Sequence, residues 1–111
     1  MAARLVALYQ QPEDAAAFDA HYRDVHTPMI LRYPRLRALR TARVEPVGPR
    51  STAYYLMAEM VFDSRGDLDA ALGSEAGVES ARDLRNFAGT GVTLFVVDDG
   101  GVTETAPAHG S

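Results

Sequence analysis

The 111-residue chain contains no cysteine, and all eleven of its basic residues are arginine. Without cysteine there are no disulfides, thiolate metal sites or cysteine nucleophiles, and a cytoplasmic location is the simplest expectation. Without lysine there is no Schiff-base chemistry on a lysine amine. Acidic residues outnumber the arginines, leaving a net charge of -4 and a pI near 5.2, so neither nucleic acid nor an anionic membrane is expected as the main partner. Long hydrophobic runs are missing too: the stretch Leu5 to Leu8 is too short for a membrane span or a secretory segment. There is no glycine-rich phosphate loop, no recognisable serine-histidine-aspartate setting and no metal-ligand spacing. The chain is therefore expected to use no metal and no cofactor, and any chemistry falls to histidine, tyrosine and pocket shape.

What is present suits one domain. Arg4 to Tyr9 reads as a strand, closed by Gln10-Gln11-Pro12. Pro12, Glu13 and Asp14 suit a helix start, with Ala15 to Ala17 favouring propagation to about Thr27; a short turn follows from Pro28 to Tyr33, and Pro34 ends it. Leu36 to Val44 and Tyr54 to Phe62 read as strands around a Pro46-Val47-Gly48-Pro49 loop. Ser64 with Asp67 resembles a capping box for a second helical region, interrupted at Gly73 and restarted at Ser74-Glu75 to about Asn86. Thr90 to Val97 completes the set. This order is the split βαβ pattern of an α+β, ferredoxin-like fold: a four-stranded antiparallel sheet with the helices on one face. Residues 1–99 make that domain, and the small, polar segment 100–111 is expected to be a flexible tail.

The third strand is apolar on both sides, with Tyr54, Leu56, Ala58, Met60 and Phe62 on one and Tyr55, Met57 and Val61 on the other. The fourth repeats this, with Val92, Leu94 and Val96 against Phe95 and Val97. Helices cover only one face, so the second predicts a homodimer joined sheet to sheet. Glu59 interrupts that second face and needs a partner, Tyr9 or an arginine such as Arg43; a general base is the alternative. Arg32, Arg35, Arg37, Arg40 and Arg43 cluster around the second strand, as charge guarding a sheet edge or, less simply, as an anion site.

The first helix carries the reactive candidates. At about 100° per residue Phe18, Tyr22, Val25 and Met29 form one apolar stripe, with His26 and His21 on opposite flanks roughly 140° apart, too far to share a metal. Pro28 removes a backbone donor, so a kink or restart is expected, with Thr27 as N-cap. His26 beside that break is either a boundary histidine with a satisfied hydrogen bond or an acid/base group pointing into a cavity. Tyr22, Tyr54, Tyr55, Met29, Met57, Met60 and Phe87 read singly as core and together as the lining of a small-molecule pocket. His109, in the tail, is a weak candidate for any role.

Taken in order, Tyr9-Gln10-Gln11-Pro12-Glu13-Asp14, Phe18, His21-Tyr22, His26-Thr27-Pro28, Pro34, Ala58 to Ser64, Asn86-Phe87 and Gly91-Val92 resemble an EthD-type protein of the dimeric α/β barrel superfamily over residues 3 to 98. The resemblance implies two ferredoxin-like sheets packed as a dimeric barrel. It also implies one pocket per protomer between helices and sheet, with His26 pointing in and Val6, Leu8, Tyr22, Met29, Leu56, Ala58 and Phe87 lining it. Proteins of this kind include muconolactone isomerases, polyketide cyclases, cofactor-free monooxygenases and accessory proteins of degradation pathways. Cyclases of the superfamily carry further histidines on the strands or the second helical region, where this chain has none. The function implied is a metal- and cofactor-independent isomerase, lyase or cyclase acting on a small apolar or aromatic carbonyl compound, His26 moving the proton and Tyr22 or Tyr54 orienting the oxygen. The alternative is a non-catalytic metabolite-binding or accessory protein, and a haem-handling barrel is a third, weaker option.

Overall fold

A computed structural model describes residues 2–89 and 91–108. The chain runs β1 (Ala3–Gln10), α1 (Ala15–His21), a π-helical turn (Tyr22–His26), α2 (Thr27–Ile30), β2 (Ala38–Arg43), β3 (Tyr54–Phe62), α3 (Arg65–Leu72), α4 (Glu75–Phe87) and β4 (Val92–Asp98). The sheet order is β2-β3-β1-β4, with every neighbouring pair antiparallel. This is the expected ferredoxin-like arrangement, and β3 has the expected bounds. The start expected for the last strand, Thr90, lies outside the described residues, as does His109.

Local chemistry sets the helix starts. The side chains of Asp14, Ser64 and Ser74 accept hydrogen bonds from the amides of Ala17, Asp67 and Gly77, satisfying donors that a first helical turn leaves free. After α2 the chain turns through Tyr33-Pro34-Arg35-Leu36, where Arg35 takes a left-handed φ of 62° and its guanidinium reaches Asp67 at 2.8 Å.

The register assigns the two faces. Ala3, Leu5, Ala7 and Tyr9 of β1 belong to the buried core under the helices, with Ala58, Met60 and Phe62 of β3, Phe18, Tyr22 and Ile30 from the first helical arm, and Leu68 and Ala71 from α3. Val6 and Leu8 have the opposite parity: Val6 pairs with Glu59 and Phe95, and Leu8 with Met57 and Thr93. They stand on the face away from the helices, which corrects their expected place in a helix-side pocket.

Tyr54 also departs from expectation. Tyr9 pairs with Leu56 and Gln10 with Tyr54, so Tyr55 is the extra residue of a β-bulge. The bulge breaks the alternation and turns Tyr55 into the core, where its ring meets Phe18 edge-on at 5.5 Å and its hydroxyl donates to Asp19 at 2.9 Å. Tyr54 is left half-buried outside the core.

On the outer face Glu59 is met by Arg4 at 3.0 Å and Arg40 at 3.9 Å, in place of Tyr9 or Arg43. Arg43 stacks on the Tyr55 ring instead, 4.0 Å from its centroid. The edge-strand arginines are each engaged with a carboxylate: Arg32 with Glu79, Arg35 with Asp67, Arg37 with Asp63, Arg40 with Glu59 and Arg43 with Asp19. That pattern fits a guarded β2 edge, with none of these five guanidiniums left unpaired among the described residues.

Candidate functional site

The site begins with the π-helical turn. Pro28 has no amide to give the carbonyl four residues back, and its ring crowds that carbonyl. The helix absorbs the defect by widening: the Thr27 amide bonds the Tyr22 carbonyl, five residues back, while His21, Tyr22, His26 and Thr27 all keep helical dihedrals. Thr27 is therefore inside a continuous helical arm and is not a cap.

Widening slows the rotation per residue, so Phe18, Tyr22, His26 and Ile30, four apart, share the buried face. In a regular α-helix residues four apart drift about 40° at each step. The expected stripe through Val25 and Met29 is displaced for this reason: Val25 is exposed and Met29 only half-buried. For the same reason His21 and His26, expected on opposite flanks, converge on one group.

That group is Asp83 of α4. His26 Nδ1 lies 2.9 Å from Asp83 Oδ2, and His21 Nε2 lies 2.9 and 3.0 Å from Oδ1 and Oδ2. The Asn86 amide donates to Oδ1 at 3.1 Å. The side chains of His26 and Asp83 are 4% and 3% exposed, and that of His21 26%. Burial alone would push the Asp83 carboxyl up, but hydrogen bonds from Asn86, His21 and His26 together hold it below the usual carboxylate range. For His26 burial dominates and lowers its pKa, against the opposing pull of the Asp83 hydrogen bond and charge. An ionised carboxylate only accepts, so His26 carries its proton on Nδ1 and keeps the Nε2 lone pair, and His21 donates from Nε2.

His26 lines a cavity of about 50 Å³ between the helices and the sheet, with Tyr9, Tyr33, Ser80, Ile30 and Met60. Tyr33 and Ser80 share a hydrogen bond of 2.5 Å. Among the described residues the buried Tyr22 hydroxyl has no hydrogen-bond partner, although its ring lies 5.6 Å from both Tyr9 and His26. Burial raises the phenols of Tyr9, Tyr22 and Tyr33, that of Tyr22 to about 12. Near neutral pH all three are donors and none is a base.

His21 faces a different space. It lines an open groove of about 590 Å³ between the end of β1 and the end of α4, with Gln10, Asp14, Phe18, Asn86 and Phe87. Phe87, on the groove wall, meets both imidazoles: its ring stacks on His21 and tilts against His26, both at 4.8 Å between centroids.

Of the residues expected at the site, then, His26 lines the cavity, and the rings of Tyr22 and Phe87 lie against that of His26 without lining the cavity themselves. Leu56 and Ala58 lie in the core beneath without reaching the cavity wall, and Val6, Leu8, Met29 and Tyr54 lie elsewhere. Asp83 and Ser80 were missed. The available signal was a polar pair three residues apart on the inward face of α4, one turn before Phe87.

The EthD domain family model matches residues 10–91. The chain belongs to the EthD family. A relative from Rhodococcus erythropolis, an uncharacterized 11.0 kDa protein in the thcB-thcC intergenic region, is 30% identical over 96 residues, 86% of this chain and 93% of its own. An EthD-family protein from Bacillus halodurans superposes with a TM-score of 0.83 at 37% identity, covering 88% of this chain and 98% of that one. At 15% identity the likeness is one of fold alone: a cofactor-independent oxygenase from Streptomyces nogalater superposes at 0.66, covering 96% of this chain and 97% of its own. Dimeric ferredoxin-like proteins from Bacteroides fragilis, Jannaschia and Thermobifida fusca share the fold with TM-scores of 0.61, 0.63 and 0.66. Among the described residues no helix of this EthD protein is long and apolar enough to cross a membrane.

Proposed function

We propose that this EthD protein is a cytoplasmic, homodimeric enzyme that isomerises, cyclises or eliminates within a small apolar or aromatic carbonyl compound, without metal or cofactor, using His26 as the base. The observation that carries the reading is the buried His26-Asp83 pair. Asp83 bonds Nδ1 and so leaves the Nε2 lone pair available on a residue that lines the tyrosine-bordered cavity.

His26 Nε2 takes a proton from the carbon beside the carbonyl, and the charge moves to the carbonyl oxygen as an enolate. A neutral phenol then donates to that oxygen. Tyr22 is the candidate because its hydroxyl has no partner among the described residues. Return of the proton to a different carbon completes an isomerisation. The cavity alone is smaller than such a substrate, so the groove supplies the room and Phe87 swings aside to admit the carbonyl end.

The dimer reading rests on the outer face of the sheet, where Phe95 is 40% exposed beside Val6, Leu8, Met57 and Val61. Native mass spectrometry of the purified protein should give twice the chain mass, and a monomer would overturn that part.

Catalysis is tested by deuterium wash-in from D2O into a panel of small enolisable ketones, lactones and aromatic carbonyls. Wild-type protein should exchange at least one compound, and His26→Ala should lose about 100-fold or more while keeping fold and mass. Equal exchange by both proteins overturns the assignment of His26. The small cavity favours a second reading, a non-catalytic protein that holds or delivers a metabolite; it predicts saturable binding, no product and tolerance of His26→Gln.

A further inference from the structure

Two imidazoles on one buried carboxylate, each opening on a different space, are more than one base requires. His26 meets the cavity and His21 the groove, and Asp83 joins them through hydrogen bonds of 2.9 and 3.0 Å. Each ring gives Asp83 one nitrogen, and among the described residues the other, His26 Nε2 or His21 Nδ1, has no hydrogen-bond partner. We infer that His21 is a positioning residue that sets the basicity of His26: one carboxylate can stabilise only one imidazolium, so a proton gained from the groove disfavours a proton gained from the pocket.

The surroundings support this division. Around His26 the facing titratable groups are Asp83 from α4, Tyr9 from β1, Tyr22 and His21 on its own helical arm, and Tyr33 beyond α2. The phenols are neutral, so among the described residues the charges that His26 meets at close range are Asp83 and, when protonated, His21. Around His21 stand Asp83, the neutral Asn86 and Phe87, with Glu13 and Asp14 on the groove wall.

Linkage makes the effect reciprocal: whatever protonation of His21 does to His26, protonation of His26 does equally to His21. A groove occupant that hands a proton to His21 would quiet the base in the pocket, and a groove wet by neutral water would release it. The inference deepens the reading of His26 as the pocket base, but its test contains no substrate, so the two can fail separately.

The test is an NMR titration of both imidazoles in the intact protein. In wild type each ring should titrate in two coupled steps, the second proton entering at markedly lower pH than the first. In His21→Gln, which keeps a polar side chain and removes the competing cation, the His26 midpoint should rise by about one pH unit, a tenfold gain in proton affinity. Two independent single-step curves in wild type, or a His26 midpoint that stays put or falls in His21→Gln, would overturn the inference. If that variant does not fold, the wild-type curves decide alone. Free imidazole added to His21→Ala should lower the His26 midpoint again, which a purely structural His21 would not allow.

Discussion

Asp83 and Glu59 are both largely buried carboxylates held by basic side chains, 3% and 13% exposed, on opposite faces of one sheet-and-helix body. Glu59 is held by the guanidiniums of Arg4 and Arg40, and Asp83 by the imidazoles of His21 and His26 with an amide from Asn86. Guanidinium keeps its charge at every pH a protein meets, so the first arrangement is fixed. Imidazole gains or loses its charge near neutrality, so the second can respond to a proton. The difference separates the part of the molecule built to hold from the part able to do chemistry.

The largest expected effect comes from moving one carboxylate and leaving the other alone. Gly77 begins the inward face of α4, and a Cβ there would come within 2.6 Å of the Leu72 carbonyl oxygen and closer still to that of Ala71. Gly77→Ala must displace the helix that carries Asp83, and should cost about 3 kcal/mol in urea denaturation. A cost below about 0.5 kcal/mol would mean that α4 has slack.

Removing the carboxylates themselves should rank them. Asp83→Ala strands the buried donor of His26 together with the partly exposed donors of His21 and Asn86 and should cost about 2–3 kcal/mol, whereas Glu59→Ala leaves arginines that can reach water and should cost about 1 kcal/mol. Equal losses would erase the contrast.

The pH dependence sharpens it. His26 has a lowered pKa in the folded chain, so below about 6.5 the unfolded chain takes up a proton that the folded chain refuses. Stability should therefore fall as pH drops through that range, with a slope of up to about 1.4 kcal/mol per pH unit. It should fall again below about 3.8, where unfolded aspartate protonates before Asp83 does. His26→Gln should lose the first slope and Glu59→Gln should keep it. The smallest effect is Tyr22→Phe, which deletes a hydroxyl without a partner and should change stability by less than about 1 kcal/mol in either direction.

Much of the fold was legible because local rules govern it. Ser64 and Ser74 cap where their spacing predicts, and the order of strands and helices gives the ferredoxin-like sheet. The site was less legible, because its geometry depends on three departures from regularity. Pro28 looks like a helix end, yet a five-residue hydrogen bond carries the helix past it and rotates His21 and His26 together. Tyr55 looks like an outer-face residue until the bulge against Tyr9 and Gln10 turns it inward. Asp83 lies 57 residues from His26 in sequence, and only the packing of α4 against the first helical arm brings them into contact.

The central claim is that burial keeps His26 neutral while Asp83 fixes its proton on Nδ1. Nitrogen-15 NMR of the His26 ring at pH 7 tests it directly. The account predicts a neutral ring protonated on Nδ1, with a titration midpoint below that of free histidine. A ring protonated on Nε2, or one still charged at pH 7, would contradict it.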